Sequence, residues 1–399
     1  MKISIAKVIV PCFLLLSSFT LEAQSDPPKQ IDSKYFEDVS YSHLPIMVLQ
    51  GRNMDAKPFD ADGDGDLDIM VAGEHTFNIL LINDGKGKFT EESVQRIPLN
   101  KRDSEDIAIA DFDGDGDLDI ILVSEDDQLN EYYLNDGTGH FKDVSDRLPV
   151  TGTSNGVLTL DVNEDGWPDL IIGNAGQNNL LINDGKGGWI DETEKRLPKS
   201  EKVTQDVEAG DIDGDGDLDL IFGNEDDNEV LVNTGKGIFK DETKNRLPFP
   251  AGQWETREAD LGDIDGDGDL DLYLANVNFR QNKDAQNRLF INDGKGVFTD
   301  QTEALVPAEK MHTVDGDFAD LDGDGDLDII TGNGFGNSYN AYFNNGSGKL
   351  RQASAEVFPL STVGDGIDIE MADFNGDGQP DLYLCNFLGH DFLLFGKKK

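Results

Sequence analysis

The sequence predicts an all-β fold: a seven-bladed β-propeller of four-stranded antiparallel blades, its ring closed by an N-terminal strand. Three observations predict it. A nine-residue acidic motif occurs seven times, with first residues Asp60, Asp111, Asp161, Asp211, Asp263, Asp320 and Asp373 spaced 51, 50, 50, 52, 57 and 53 positions apart. Each unit carries four short runs of strand character, and a unit of roughly 50 residues is the period of a propeller blade. The last unit ends after three runs, and a match to the missing fourth, YFEDVSYSHLP at 35–45, stands at the opposite end of the chain.

The unit around the second motif justifies the elements in turn. DIAIAD at 106–111 alternates and reads as a strand with two unlike faces. LDIILV at 118–123 reads as a buried strand, NEYYLNDG at 130–137 as a third strand entering a turn, and HFKDVSDRLP at 140–149 as a fourth leaving it. The NDG-x-G punctuation recurs at Asn83, Asn135, Asn183 and Asn292, with NTGKG at Asn233 and NNGSG at Asn344. It reads as a hairpin turn whose glycines take positive φ. Ring closure predicts that residues near 36–40 pair with residues near 391–395, which hides edges that invite aggregation. The propeller is expected over residues 35–396, after a linker at 24–34.

The motif has its own chemistry. Position 6 is Gly in every copy: Gly65, Gly116, Gly166, Gly216, Gly268, Gly325 and Gly378. A loop that turns its oxygens inward needs positive φ there. The oxygen-bearing positions 1, 3, 5, 7 and 9 are Asp60, Asp62, Asp64, Asp66 and Asp68 in the first copy and Asp111, Asp113, Asp115, Asp117 and Asp119 in the second. The fourth holds Asp211, Asp213, Asp215, Asp217 and Asp219, and the fifth Asp263, Asp265, Asp267, Asp269 and Asp271. The sixth holds Asp320, Asp322, Asp324, Asp326 and Asp328. The third departs, with Asp161, Asn163, Asp165, Trp167 and Asp169, as does the seventh, with Asp373, Asn375, Asp377, Gln379 and Asp381. A position that accepts Trp contributes its backbone carbonyl, whereas position 3 accepts only a short side chain bearing oxygen.

Hard oxygens around a tight Gly turn suit Ca²⁺, which takes six to eight of them in flexible geometry. Mg²⁺ demands a stricter octahedron, and Zn²⁺ is disfavoured because no His or Cys joins the cluster. A dication in each loop, up to seven in all, replaces carboxylate repulsion with attraction. The alternative is an acidic solvated turn that needs no metal.

The D-x-D-x-D-G-x-x-D motif within four-stranded units resembles the FG-GAP repeats of integrin α-chain propellers and the VCBS-type repeats of exported bacterial proteins. The resemblance covers roughly residues 35–395. It implies a calcium-binding propeller with each loop joining the first two strands of a blade, and partners on the opposite face. It leaves activity open, because such repeats serve adhesion proteins and also form parts of polysaccharide lyases. Here every blade carries a loop, whereas integrins load only some.

The chain has 80 acidic and 33 basic residues and a formal charge of −47, which argues against nucleic-acid phosphates and anionic membrane surfaces. Lys2 and Lys7 precede an uncharged run from Val8 to Leu21, too short to span a membrane and matching a signal peptide over residues 1–23. Export to the periplasm, cell surface or medium is therefore expected. Beyond that leader one cysteine remains, Cys385, so no internal disulfide forms.

Two surfaces stand out for a ligand. Five residues before each motif stand Asp55, Asp106, Gly156, Asp206, Glu258, Asp315 and Asp368, and three before stand Lys57, Ala108, Leu158, Glu208, Asp260, Asp317 and Glu370. On an innermost strand these would give the ring an acidic axis, either a solvated channel or a seat for a cation. Loops away from the motifs carry Trp254, Arg257, Phe279, Arg280, His312, Phe335 and Tyr339, with Phe249 and His390 nearby. Aromatic and Arg residues on loops held by a rigid scaffold mark binding surfaces, although the same rings also seal blade interfaces. The expected function is a protein- or glycan-binding, adhesion-type module of unknown oligomeric state. A polysaccharide lyase or hydrolase, with His312, Arg257, Arg280 and Tyr339 near the reacting bond, is the alternative, and a passive calcium-rich surface component is a third.

Overall fold

The computed structural model describes residues 33–398 except 47, 49–50, 126–127, 249–251 and 281–282. The expected leader lies outside the described residues, as does Phe249. Seven four-stranded antiparallel sheets form the blades, as the repeat predicts. The innermost strands are Asn53–Phe59, Ser104–Ala110, Ser154–Leu160, Thr204–Gly210, Thr256–Gly262, Thr313–Ala319 and Gly366–Ala372. Each packs against its two counterparts around the axis, that of blade seven against that of blade one.

The second strand of every blade is buried throughout, for example Asp119–Ser124. This is why it reads as an unbroken apolar run rather than an alternating one. Both of its faces pack between neighbouring blades, giving seven apolar clusters around the ring; Phe59, Ala61 and Met70 of blade one meet Ile107, Ile120 and Tyr133 of blade two. Burial of this kind stabilises by roughly 25 cal/mol per Å².

The ring closes as expected. Phe36 pairs with Gly396, Glu37 with Phe395 and Asp38 with Leu394, so blade seven takes its outer strand from the start of the chain.

One element differs from the reading. The fourth run is a strand of only two or three residues, such as Phe141–Asp143, followed by one helical turn, Ser145–Arg147. The cause is a side-chain competitor for the sheet. In all seven blades a Ser or Thr hydroxyl accepts the third-strand amide that would have paired further along. Examples are Leu80 N–H to Ser93 Oγ at 2.8 Å, Tyr132 N–H to Ser145 Oγ at 3.0 Å and Leu393 N–H to Ser40 Oγ at 2.9 Å. The acid two residues earlier caps the turn: Asp143 Oδ1 accepts the Ser145 amide at 2.9 Å.

Candidate metal loops, an acidic axis and an aromatic rim

Each motif joins the first and second strands of its blade, so all seven loops lie on one face of the ring. The position-6 glycines have φ between 84° and 97°, as a tight inward turn requires. In the first loop Asp60 Oδ1 accepts the Gly63 amide at 2.8 Å and Oδ2 the Gly65 amide at 3.0 Å. Asp68, at position 9, accepts the Ala61 amide at 3.0 Å and the Asn83 amide at 2.8 Å. The loop is thus held shut by its own carboxylates.

Oxygens of Asp60, Asp62 and Asp68 lie within 4.8 Å of one another, and those of Asp111, Asp113 and Asp115 likewise. Asp62 Oδ1, Asp113 Oδ1 and Asp213 Oδ1, all at position 3, are buried without a hydrogen-bond partner. Buried carboxylate oxygens are costly without compensation, and an all-oxygen donor set of this kind fits a hard dication. Burial pushes the position-9 carboxyls up, Asp68 and Asp119 to about 7, against the pull of their backbone hydrogen bonds. Position 7 turns its side chain away from the loop: Asp66 lies against Gly85 of the hairpin turn, and the Trp167 indole lies across Gly185 and Gly114 of the preceding blade. The two Asn loops are arranged differently, since Asn163 Nδ2 donates to Asp169 Oδ2 at 3.2 Å and Asn375 Nδ2 to Asp381 Oδ2 at 2.9 Å.

Two supporting groups were not picked out from sequence. The hairpin Asn reaches the neighbouring blade: Asn135 Nδ2 donates to the Ala61 carbonyl at 2.9 Å, Asn183 Nδ2 to that of Phe112 at 3.0 Å. The arginine closing the helical turn does the same. Arg96 Nη1 donates to the Thr138 carbonyl of blade two at 2.8 Å while its Nη2 lies 3.3 Å from Asp62 Oδ2. Arg246 repeats this, with Nη2 2.8 Å from Asp213 Oδ2 and Nη1 donating to the Lys295 carbonyl. The recurrent R-[LI]-P at Arg96, Arg147, Arg196 and Arg246 is the signal that marks it.

The innermost strands do surround an acidic axis. A channel of about 750 Å³ is lined by Asp55, Asp106, Asp206, Glu258, Asp315 and Asp368, and below them by Lys57, Glu208, Asp260, Asp317 and Glu370. Several of these acids join blades. Asp106 Oδ2 accepts the Val157 amide at 2.7 Å, Asp206 Oδ2 the Ala259 amide at 3.0 Å and Asp368 Oδ2 the Ala56 amide at 3.1 Å. Each donor belongs to the next innermost strand, whose inner edge no other strand covers among the described residues. Burial, with mutual repulsion, raises the carboxyls of Asp106, Glu258, Asp315 and Asp368 well above the usual range.

The predicted ligand residues divide. Arg257, Phe279, Arg280, His312 and Phe335 come together on blades five and six, on the face opposite the loops. Phe279 stacks on His312 with centroids 5.7 Å apart, and Phe335 meets both edge-on at 5.0 Å and 4.9 Å. The Arg257 guanidinium lies 4.8 Å over the Phe279 ring and also lines the channel, which places the aromatic group at the channel mouth. Arg257 Nη2 lies 3.1 Å from Glu255, and Arg280 pairs with Glu225. Phe335 is 68% exposed and adopts a φ of 58°, a strained conformation for a bulky residue. Trp254 and Tyr339 do not join them. Trp254 is buried edge-on against Phe290, and Tyr339 is buried with its hydroxyl donating to the Cys385 carbonyl at 2.6 Å. Large rings here do better filling blade interfaces than facing water.

These features define a class: an all-β seven-bladed propeller with an acidic loop at the same end of every blade. The FG-GAP-like repeat matches over residues 60–122, 111–171, 161–222, 211–274, 263–331 and 320–384, and the chain belongs to this family. No curated protein matches it. Among solved structures it is similar to an Agrocybe aegerita lectin that recognises non-reducing terminal N-acetylglucosamine (TM-score 0.51, 18% identity, 86% of this chain and 87% of that one). It is also similar to BBS1N, solved in complex with ARL6DN (TM-score 0.57, 9% identity, 91% and 97% covered). A third likeness is to the extracellular domain of the putative hybrid two-component system BT4673 of B. thetaiotaomicron (TM-score 0.53, 12% identity, 92% and 40% covered). Identities this low show the shared fold. Among the described residues no helix is long and apolar enough to cross a membrane.

Proposed function

We propose that the protein is an exported, calcium-loaded binding module that takes a glycan on the face opposite its acidic loops. The carrying observation is the Phe279–His312–Phe335 group beside two arginines, in which Phe279 and Phe335 are exposed and Phe335 sits on strained backbone. Strain in a loop persists where the fold over-determines it, and such positions cluster at ligand clamps. Flat rings stack on the apolar faces of sugars, and Arg257 and Arg280 supply donors to their hydroxyls or carboxylates. Calcium in this reading is structural. It draws the position-1, -3, -5 and -9 carboxylates together and takes a position-7 carbonyl, fixing the loop face so that the other face stays rigid.

A glycan array probed with the calcium-loaded protein tests this. Saturable binding that falls in Phe335→Ala and Phe279→Ala with an unchanged melting temperature supports the reading. Binding indifferent to both variants overturns it, as does selective capture of protein ligands only. Release of shortened products from a bound polysaccharide would favour the lyase or hydrolase alternative.

A further inference from the structure

We propose that the axial channel is a second and separate site, one that binds an alkylammonium group. Carboxylates alone do not make a site, but here two further observations point to a ligand. Asp315 lines the channel, is only 6% exposed, and its Oδ2 has no hydrogen-bond partner. Its neighbours Glu258 and Asp317 form no ion pair among the described residues, in contrast to Asp55 and Glu370 on the opposite wall.

That opposite wall shows what the channel accepts. Lys57 is the sole lysine at its position in the seven blades. Its Nζ lies 2.6 Å from Glu370 Oε1 and 3.5 Å from Asp55 Oδ1. An ammonium on an aliphatic stem is therefore already seated between blades seven and one. Blades five and six present two acidic rungs of their own, Glu258 and Asp315 above Asp260 and Asp317; Asp260 is held by the Phe318 and Leu261 amides, and among the described residues no ammonium pairs with the other three. The channel's other described cation, Arg257, is held by Glu255 and Gln205.

Size and lining favour an organic cation over a bare metal ion. A channel of about 750 Å³ has room for far more than one dication and the oxygens it draws to about 2.3–2.6 Å, and the one close carboxylate group in it, Asp55, Asp368 and Glu370, already takes the Lys57 ammonium. Toward the loop end the lining becomes apolar, with Pro58, Ile109, Phe318 and Met371, which suits a methylene stem below or between charged ends. A free polyamine and a lysine side chain share this chemistry.

Calorimetric titration with spermidine, in calcium sufficient to saturate the loops, tests the proposal; a lysine-bearing tripeptide run alongside separates the two sources. Spermidine is expected to bind one-to-one. The double variant Asp315→Asn/Asp317→Asn is expected to weaken it by about tenfold. Lys57→Met removes the resident competitor and is expected to tighten it several-fold, an effect no merely structural role for the lysine produces. The proposal is overturned if the wild-type protein gives no spermidine heat, if both variants leave the affinity unchanged, or if added calcium displaces spermidine from the channel.

Discussion

Asp106 Oδ2 accepts the backbone amide of Val157 across the boundary between blades two and three, at 2.7 Å. The acid belongs to one innermost strand and the amide to the next. Removing the acceptor as Asp106→Ala leaves the Val157 amide without its partner, and this costs about 1–3 kcal/mol. Asp106→Asn keeps an acceptor and removes a carboxyl repelled by Asp55 and Asp206, so it is expected to lie close to wild type at pH 8. Urea titrations of the two variants check the order; an equal loss in both refutes the clasp.

The same clasps set a pH dependence. Burial lifts Asp206 to about 7 and Asp260 to about 6, even though backbone amides pull both down. Their unfolded values lie near 3.9. A raised folded value means that the stabilisation is complete at low pH and is lost as pH rises through 6 to 7. The facing groups are Lys57, Glu208, Glu258, Asp315 and Asp317, and they act in the same sense apart from the lysine. In EGTA, the melting temperature is therefore expected to fall between pH 5 and pH 8, with a shallower fall in Asp206→Asn. A rise over that window refutes the assignment.

Calcium is expected to raise the melting temperature, each site adding about 2.7 kcal/mol at a hundredfold excess over its dissociation constant. The third and seventh loops should fill last, because an Asn amide already satisfies their position-9 carboxylates. Asn163→Asp and Asn375→Asp should convert the weakest class of site in a calorimetric titration into the stronger one. Superimposable melting curves in calcium and EGTA would remove metal from the account.

Phe335 holds a φ of 58°. Phe335→Gly relieves that strain and is expected to stabilise by about 1 kcal/mol while abolishing ligand binding. A destabilised glycine variant would show the ring to be a packing element.

Much of this was legible in sequence because repetition averages over noise. One unit with alternating DIAIAD is ambiguous; seven at a fixed spacing are not, and the split of blade seven between the chain ends follows from counting. Interactions that cross from one unit to the next were not legible. Asn135 reads as a turn residue because its local role is the turn, yet its amide also reaches the Ala61 carbonyl 74 residues earlier. Nothing in the local sequence around Arg96 marks a partner, yet it bridges its own motif to the turn of blade two. Trp254 and Tyr339 share composition with exposed ligand residues, and only packing separates them from Phe335. The helical turn after the outer strand is hidden in the sequence because Ser145 looks like any loop serine until its hydroxyl takes a sheet amide.

The pairing of Phe36–Asp38 with the strand that ends at Gly396 makes blade seven a joint between two segments far apart in the sequence. Until Phe392–Gly396 is in place that joint cannot be made, and without Phe36–Asp38 its edge has nothing to cover it. A chain shortened to begin after residue 45 would expose this edge as a template, and a segment from another molecule would take the vacant place. Such trimming is expected to turn a self-contained ring into dimers joined edge to edge through two bare Phe392–Gly396 strands, visible as a doubling of mass in light scattering.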